Sequence, residues 1–357
     1  MKKCIEFLDG ISHKINNILQ SDNFAVEVMP DYLREEVKRY PLAGGKKLRP
    51  ALLAASCGIL GGKPEKFLEF ATAVEIWHNW TLVHDDIIDC DTFRRNQPTA
   101  HCRLAEVAAT KFDLSKADAF KYGENMAILC GDLQINWAYN LIIKGQQKSK
   151  ISADLTLDII RKIQQFGAIK LISGEAVDVE LAVKKLENIT PAEVMKMIDG
   201  KTSALFQCSC EIGGALALGT FDDFRIQLLS DFAQALGRAF QLQDDLLGIF
   251  GDVNKFGKNI GSDLREGKPT ILLLKTLQSA SCEEKAFILG CIGEKDLQLS
   301  QIEEVKRIMI SSDAYEFVNN EVQYYLQRAK EYLNELPENN YNDILHELLE
   351  YLVNRNK

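Results

Sequence analysis

Two short stretches of this sequence crowd carboxylates against apolar residues. The first, Glu75–Asp91, reads EIWHNWTLVHDDIIDCD and places Asp85, Asp86, Asp89 and Asp91 within seven residues, with no lysine or arginine among them. On a helix Asp85 and Asp89 stand at i and i+4 and share a face, where like charges are destabilising. Aspartate is also a mediocre helix former. A sequence that accepts these costs beside an apolar stretch can recover them through a cation. Hard divalent ions such as Mg²⁺ take carboxylate oxygens and leave positions open for phosphate. The second stretch, Phe240–Asp252, reads FQLQDDLLGIFGD. Asp244 and Asp245 repeat the opening of the first pattern, but Gly248 stands where its third acid would be, so this copy is the weaker metal site.

Polar and basic residues gather around the same stretches. At about 100° per residue, His78 falls about 20° and Thr81 about 40° from Asp85 around the helix axis. His78, Thr81, Asp85 and Asp89 therefore form a polar stripe on an otherwise apolar helix. Arg94 and Arg95 follow at once, with Pro98, Thr99 and His101 beyond. Guanidinium forks suit phosphate oxygens, so acid then base in close succession could clamp a metal-bound diphosphate. Gly44–Pro50, GGKKLRP, is a glycine-rich turn opening a helix, where backbone amides favour an anion; Lys46 and Arg49 add charge. The P-loop spacing is absent. Lys201 and Thr202 interrupt an apolar helical stretch, facing either solvent or an internal anion. Gln241 lies one turn before Asp244 and Asp245. Lys258 and Lys268, in the loop GKNIGSDLREGK, are further phosphate contacts in prospect.

The elements that must hold these groups are helices. Only eight prolines occur, and none lies between Pro98 and Pro191 or between Pro191 and Pro269, so long uninterrupted helices are permitted. Leu155, Ile159, Ile160 and Ile163 recur at helical spacing, as do Phe317, Val318, Val322, Tyr325 and Leu326. Alternating runs bounded by Asn-Gly or Asp-Gly turns are missing. The chain reads as all-α. No linker-like stretch divides it, so 1–357 reads as one domain with its motifs in about 40–275 and plain amphipathic helices over 280–357.

Composition narrows the function. The 51 acidic against 42 basic residues give a net charge of −9, which disfavours nucleic-acid binding but not a phosphate-rich substrate bridged by metal. No apolar run approaches a bilayer span, and Glu6 and Asp9 break the apolar core a signal peptide needs. Nine scattered cysteines without zinc spacing fit reduced thiols in a cytoplasmic protein.

Together and in order, GGKKLRP, EIWHNWTLVHDDIID with RR and PT.H after it, AILCGD at Ala127–Asp132, GKT at Gly200–Thr202, and FQLQDD with GKNIGSDLREGKPT resemble the trans-isoprenyl diphosphate synthases of the polyprenyl synthetase family. The second motif looks most like the archaeal-type short-chain members. The resemblance implies long antiparallel helices around a central cavity, and a homodimer. It implies three Mg²⁺ ions held by Asp85, Asp89 and Asp244, with Asp86 and Asp245 completing the motifs. It implies isopentenyl diphosphate on Lys46, Arg49, His78 and Arg95, and an allylic diphosphate (dimethylallyl, geranyl or farnesyl) on Arg94, Lys201, Thr202, Gln241, Lys258 and Lys268. The chemistry it implies is ionisation of the allylic substrate, condensation, and loss of a proton and diphosphate. Trp80, five residues before the first aspartate, would floor the product pocket with Thr81 beside it, giving a C15 or C20 product.

The chain departs from the family in three places. Asn96 stands where glycine often follows the arginine pair, and Glu175 where glutamine is common. The segment around 103–120 is longer than usual and reads as a lid or dimer-surface element. A terpene cyclase-like enzyme would share the aspartate motifs but leave Lys46, Arg49 and His78 unexplained. A non-catalytic subunit of a heteromeric synthase would be expected to have lost one of the two motifs.

Overall fold

The computed structural model describes residues 2–251 and 261–354. Helices dominate. In chain order they are α1 (Lys2–Ser21), α2 (Asp31–Leu42), α3 (Leu48–Ile59), α4 (Leu68–Ile88), α5 (Ala100–Phe112), α6 (Lys116–Ser149), α7 (Ala153–Lys162), α8 (Leu171–Val183), α9 (Pro191–Ile198), α10 (Ala204–Leu218) and α11 (Phe224–Phe250). After the short α12 (Ser262–Arg265) come α13 (Ile271–Ser279), α14 (Cys282–Cys291), α15 (Leu299–Ser311), α16 (Ala314–Asn334) and α17 (Asn340–Asn354). Two helical segments are widened into π turns, Ile163–Lys170 and Asp199–Ser203. The all-α expectation holds, with one exception among the described residues: a tiny hairpin pairing β1 (Phe93–Arg94) with β2 (Gln97–Pro98).

Internal contacts gather the chain into two compact units. Lys2–Arg161 with Ser209–Asp223 make one, and Lys162–Cys208 with Phe224–Lys357 the other. In the first, α4 runs along α6, α5 also packs on α6, and α1 and α3 pack on α4. The sequence explains the layering. In α1 the buried residues Cys4, Leu8, Ile11, Ile15 and Leu19 follow a single helical stripe, which leaves its other face in water. In α4 burial runs almost all round, from Phe70 to Trp80, as expected of a central helix. Ser115 starts α6 by accepting the amide of Asp118. The 103–120 segment divides between α5 and the first turns of α6. Arg103 is tied down there, donating to Glu36 at 2.6 Å.

In the second unit α11 lies along α16, and α8, α9 and the Asp199–Ser203 turn pack together. Thr190, Pro191 and Glu193 start α9 with a complete capping box. Pro191 sits at the first helical position, where its missing N–H costs nothing. Arg238 of α11 holds Asp199 through two bonds of 2.7 and 2.6 Å, fixing the π turn to that helix.

The hairpin carries the arginine pair. Its two-residue turn, Arg95–Asn96, has φ of 53° and 60°, so both residues are left-handed, as a tight hairpin turn requires. Asparagine is among the few non-glycine residues that tolerate this conformation. Asn96 thus does the work of the glycine it replaces. Arg39 braces the strands by donating to the Gln97 side chain at 2.9 Å and to the Pro98 carbonyl at 3.1 Å. Arg39 is in turn gripped by the buried Glu36 at 2.8 and 2.6 Å. Replacing Asn96 by valine, which resists positive φ, should cost about 1–2 kcal/mol of stability, whereas Asn96→Gly should cost nothing. Equilibrium denaturation of the two variants measures the difference.

Candidate active site

In the first unit the acidic stripe ends α4. Asp85 and Asp86 lie in its last turn and Asp89 caps it, donating its amide to the Asp85 carbonyl at 2.8 Å. The negative end of a helix repels carboxylates, so this placement demands cations. Arg94 supplies one. Its Nε donates to Asp86 Oδ1 at 2.5 Å, and its Nη2 lies 3.2 Å from Asp85 Oδ2 and 3.6 Å from Asp91 Oδ2. Burial works against the Arg94 charge, but Asp86 and Asp85 outweigh it and raise its pKa.

The two adjacent aspartates therefore have different surroundings. Asp86 is fully buried and acts as the anchor for Arg94. Burial lifts its carboxyl to about 6 against the opposing pull of Arg94. Asp85 and Asp89 are only half-buried and share the outward face that the i, i+4 spacing predicts.

The basic loop and the hairpin meet in this unit. Arg95 reaches the glycine turn and donates to the Gly44 carbonyl at 2.6 Å. A Cβ on Gly45 would stand 2.8 Å from its guanidinium, and Gly45 has φ of +99°, so glycine is required there twice over. Lys46 is exposed and Arg49 half-buried. Burial lowers Arg49 to about 10, partly offset by Glu75. His78 feels Arg49, Arg95, Arg94 and Lys47 together. Burial first, then these four charges, hold its imidazole well below the ordinary range. The structure thus joins Arg49, His78, Arg94 and Arg95, which the sequence places up to 46 residues apart, in one cationic nest suited to a polyanion.

Two residues in this nest escaped the sequence reading. Lys47, beside the nominated Lys46, is buried with a left-handed backbone (φ 47°). Its ammonium donates to Glu75 at 3.0 Å and to the Pro41 carbonyl. Glu75 also accepts from the Asn79 amide at 3.0 Å and supports the charges of Arg49 and Arg95. A lysine and a glutamate 28 residues apart offer no signal in sequence beyond their place at the edges of the two motifs.

Trp80 is buried among aromatic rings. It meets Trp77 edge-on at 5.5 Å and His84 at 5.7 Å, and Trp77 meets Tyr139 at 5.2 Å. Thr81 turns back to its own helix, donating to the His78 carbonyl at 2.8 Å. His84 presses on α6 at Gly131, where a Cβ would fall 2.2 Å from its Nε2. That contact explains the glycine in AILCGD.

In the second unit Lys201 sits in the Asp199–Ser203 π turn, 2.9 Å from Glu175 and 2.7 Å from Asp178. Thr202 donates to the Gln241 carbonyl oxygen at 2.9 Å, and the Gln241 amide donates to Asp245 at 3.0 Å. Asp245 is buried. Burial first, then Asp263, lift its carboxyl to about 8 despite the Gln241 bond. Asp244 beside it is half-buried. Lys268 pairs with Glu266 at 2.8 Å. Lys258 lies outside the described residues.

Gly248, the apparent defect of the second motif, has a spatial explanation. A Cβ there would lie 2.6 Å from the Asp263 carboxylate. The missing acid is thus replaced in space by Asp263 of α12. The sequence signal was the glycine itself, read together with the aspartate of GSDLREGK.

The donor set suits magnesium. Among the described residues no group of three or more His, Cys, Asp or Glu side chains is arranged to hold a metal alone. Mg²⁺ does not need one, since it binds through one or two carboxylates plus substrate phosphate and water. Asp85, Asp89 and Asp244 are half-buried hard oxygen donors of that kind.

Acid-tipped helices with arginine, lysine and a neutral histidine beside them define an all-α protein made for polyanionic ligands. The polyprenyl synthetase family model matches residues 30–309, and the chain belongs to that family, and with it to the prenyltransferases. The geranylgeranyl diphosphate synthase of Saccharolobus solfataricus is 35% identical over 340 residues, covering 93% of both chains. The short chain isoprenyl diphosphate synthase of Methanocaldococcus jannaschii is 33% identical over 86% of each chain. Among solved structures, the geranylgeranyl pyrophosphate synthetase of Pyrococcus horikoshii has a TM-score of 0.82 at 32% identity over 98% of each chain. A Corynebacterium glutamicum geranylgeranyl pyrophosphate synthase, complexed with isoprenyl diphosphate and magnesium, has a TM-score of 0.83 at 26% identity, covering 98% of this chain and 99% of its own.

His78 yields a pH prediction. Its pKa in the folded chain lies below the unfolded value of about 6.5, so the unfolded state binds more protons as pH falls through that value. Stability is then lost on acidification. His78→Gln should lose less stability than the parent between pH 7 and pH 5, as denaturation curves across that range would reveal.

Proposed function

We propose that this chain is a short-chain trans-prenyltransferase that joins isopentenyl diphosphate to an allylic diphosphate and releases diphosphate, with a C20 product. One observation carries the reading: carboxylates at the unfavourable end of α4, with Arg94 and the His78 nest directly beside them. Acids alone would be a metal site and bases alone an anion site. Both together suit a metal-bound diphosphate. The C20 choice rests on the geranylgeranyl diphosphate synthases among the relatives.

Asp85, Asp89 and Asp244 would hold magnesium, three ions in all. When bound, magnesium supplies charge that stabilises a departing diphosphate. The chain's own residues do the rest. Lys46, Arg49, His78 and Arg95 hold isopentenyl diphosphate by its anionic end, and a neutral His78 can still donate one hydrogen bond. Arg94, steadied by Asp86, offers its remaining N–H groups to diphosphate oxygen. Lys201, Thr202, Gln241 and Lys268 take the allylic diphosphate. No protein nucleophile is required, because the isopentenyl double bond attacks the allylic cation and the proton lost goes to the departing diphosphate. The aromatic cluster around Trp80 keeps water from that cation.

The whole chain acts as one synthase domain in a cytoplasmic homodimer. Exposed apolar side chains on α6, Ile128, Leu129 and Ile143, support self-association. No described helix is long and apolar enough to cross a membrane.

Two experiments test the reading. With Mg²⁺ and labelled isopentenyl diphosphate, the protein should elongate dimethylallyl, geranyl or farnesyl diphosphate to C20, and Asp85→Ala or Asp244→Ala should cut turnover by at least about a hundredfold. Elongation that survives Asp85→Ala would sink the mechanism. Trp80→Leu, or the more severe Trp80→Ala, should shift products beyond C20 on chromatography if Trp80 floors the pocket; an unchanged distribution removes it from that role.

A further inference from the structure

Lys201 already has partners where a substrate anion is expected. Its π turn is locked to α8 backbone against backbone, since a Cβ on Gly174 would fall 2.3 Å from the Lys201 amide nitrogen. Glu175 follows that glycine and Asp178 lies three residues further along α8, so both carboxylates reach the same ammonium, at 2.9 and 2.7 Å. Two carboxylates thus share one ammonium. Next to it, Thr202 donates to Gln241 and Gln241 to Asp245, so that side of the site is already hydrogen-bonded.

We infer that Glu175 is a latch on Lys201, an internal anion that holds the ammonium when no substrate is present and must yield it when a diphosphate arrives. The inference rests on the reading that Lys201 contacts a diphosphate. Glu175, rather than Asp178, is the partner that yields. Asp178 is the closer of the two and hydrogen-bonds Lys201, while glutamate has one more rotatable bond and loses more entropy when held. Competition of this kind weakens the grip on the allylic substrate and equally on released pyrophosphate. Glu175 is thus a positioning residue that trades affinity for product release.

Glu175→Gln keeps the side-chain shape and removes the charge. The allylic KM and the Kd for magnesium pyrophosphate should both fall by about 1.5- to fivefold, the range that a partly exposed ion pair commands. The KM for isopentenyl diphosphate should stay unchanged. An allylic KM that is unchanged or raised in the folded variant overturns the latch, as does an equal fall in both KM values. Calorimetric titration of magnesium pyrophosphate onto parent and variant reads the latch without turnover, and equal Kd values overturn it. If the parent fails to elongate isopentenyl diphosphate yet the variant still binds pyrophosphate more tightly, the proposed reaction falls and the latch stands. Pyrophosphate binding by neither protein overturns both.

Discussion

A helix that ends in carboxylates is at odds with its own dipole, and much of the first unit answers that conflict. The carbonyl end of α4 carries Asp85, Asp86 and Asp89 where a cation is favoured and an anion is not. Arg94 settles part of the account by binding the buried Asp86. To do so it must arrive from a fixed direction. The hairpin gives that direction, the left-handed turn at Arg95 and Asn96 gives the hairpin, and Glu36 through Arg39 holds the hairpin down. Removing any of these parts would not delete a ligand, but it would let the charges drift apart.

The cationic nest follows the same logic with the signs reversed. Arg49, Arg95 and Lys47 would repel one another without a counter-charge. Glu75 is that charge in the bare protein. It is buried, bonded to Lys47 and Asn79, and so out of reach of exchange with a ligand. A permanent buried carboxylate keeps the nest assembled. The second unit is built differently, because the carboxylates around Lys201 are only partly buried. One unit compensates its cations deep inside, and the other compensates Lys201 with partly exposed carboxylates.

Much of this was legible in the residues. The proline-poor helical pattern gave the all-α fold, and the shared face of Asp85 and Asp89 followed from helical spacing alone. Arg94 and Arg95 were found because they sit next to the acids in sequence. What was not legible depends on contacts distant in sequence. Lys47 looks the same as Lys46 until burial separates them. Glu75 and Asn79 look like ordinary polar positions on a helix. The replacement of an acid at position 248 by Asp263 rests on the proximity of two residues 15 positions apart. The helical reading around Lys201 was right in type, but periodicity does not reveal a π turn.

That turn changes how the chain can be counted. A π turn holds about one residue more than the α turn it replaces, so the faces of the helices before and after Asp199–Ser203 are out of phase by about 100°. The surplus residue is a phase shifter. It is what allows Lys201 to point toward α8 while the apolar residues on either side keep their inward faces. Deleting Gly200 alone would remove the surplus residue and turn the ammonium away, although Asp199, Lys201 and Thr202 were all kept. The chemistry at this position is therefore set by the number of residues in the turn as much as by their identity.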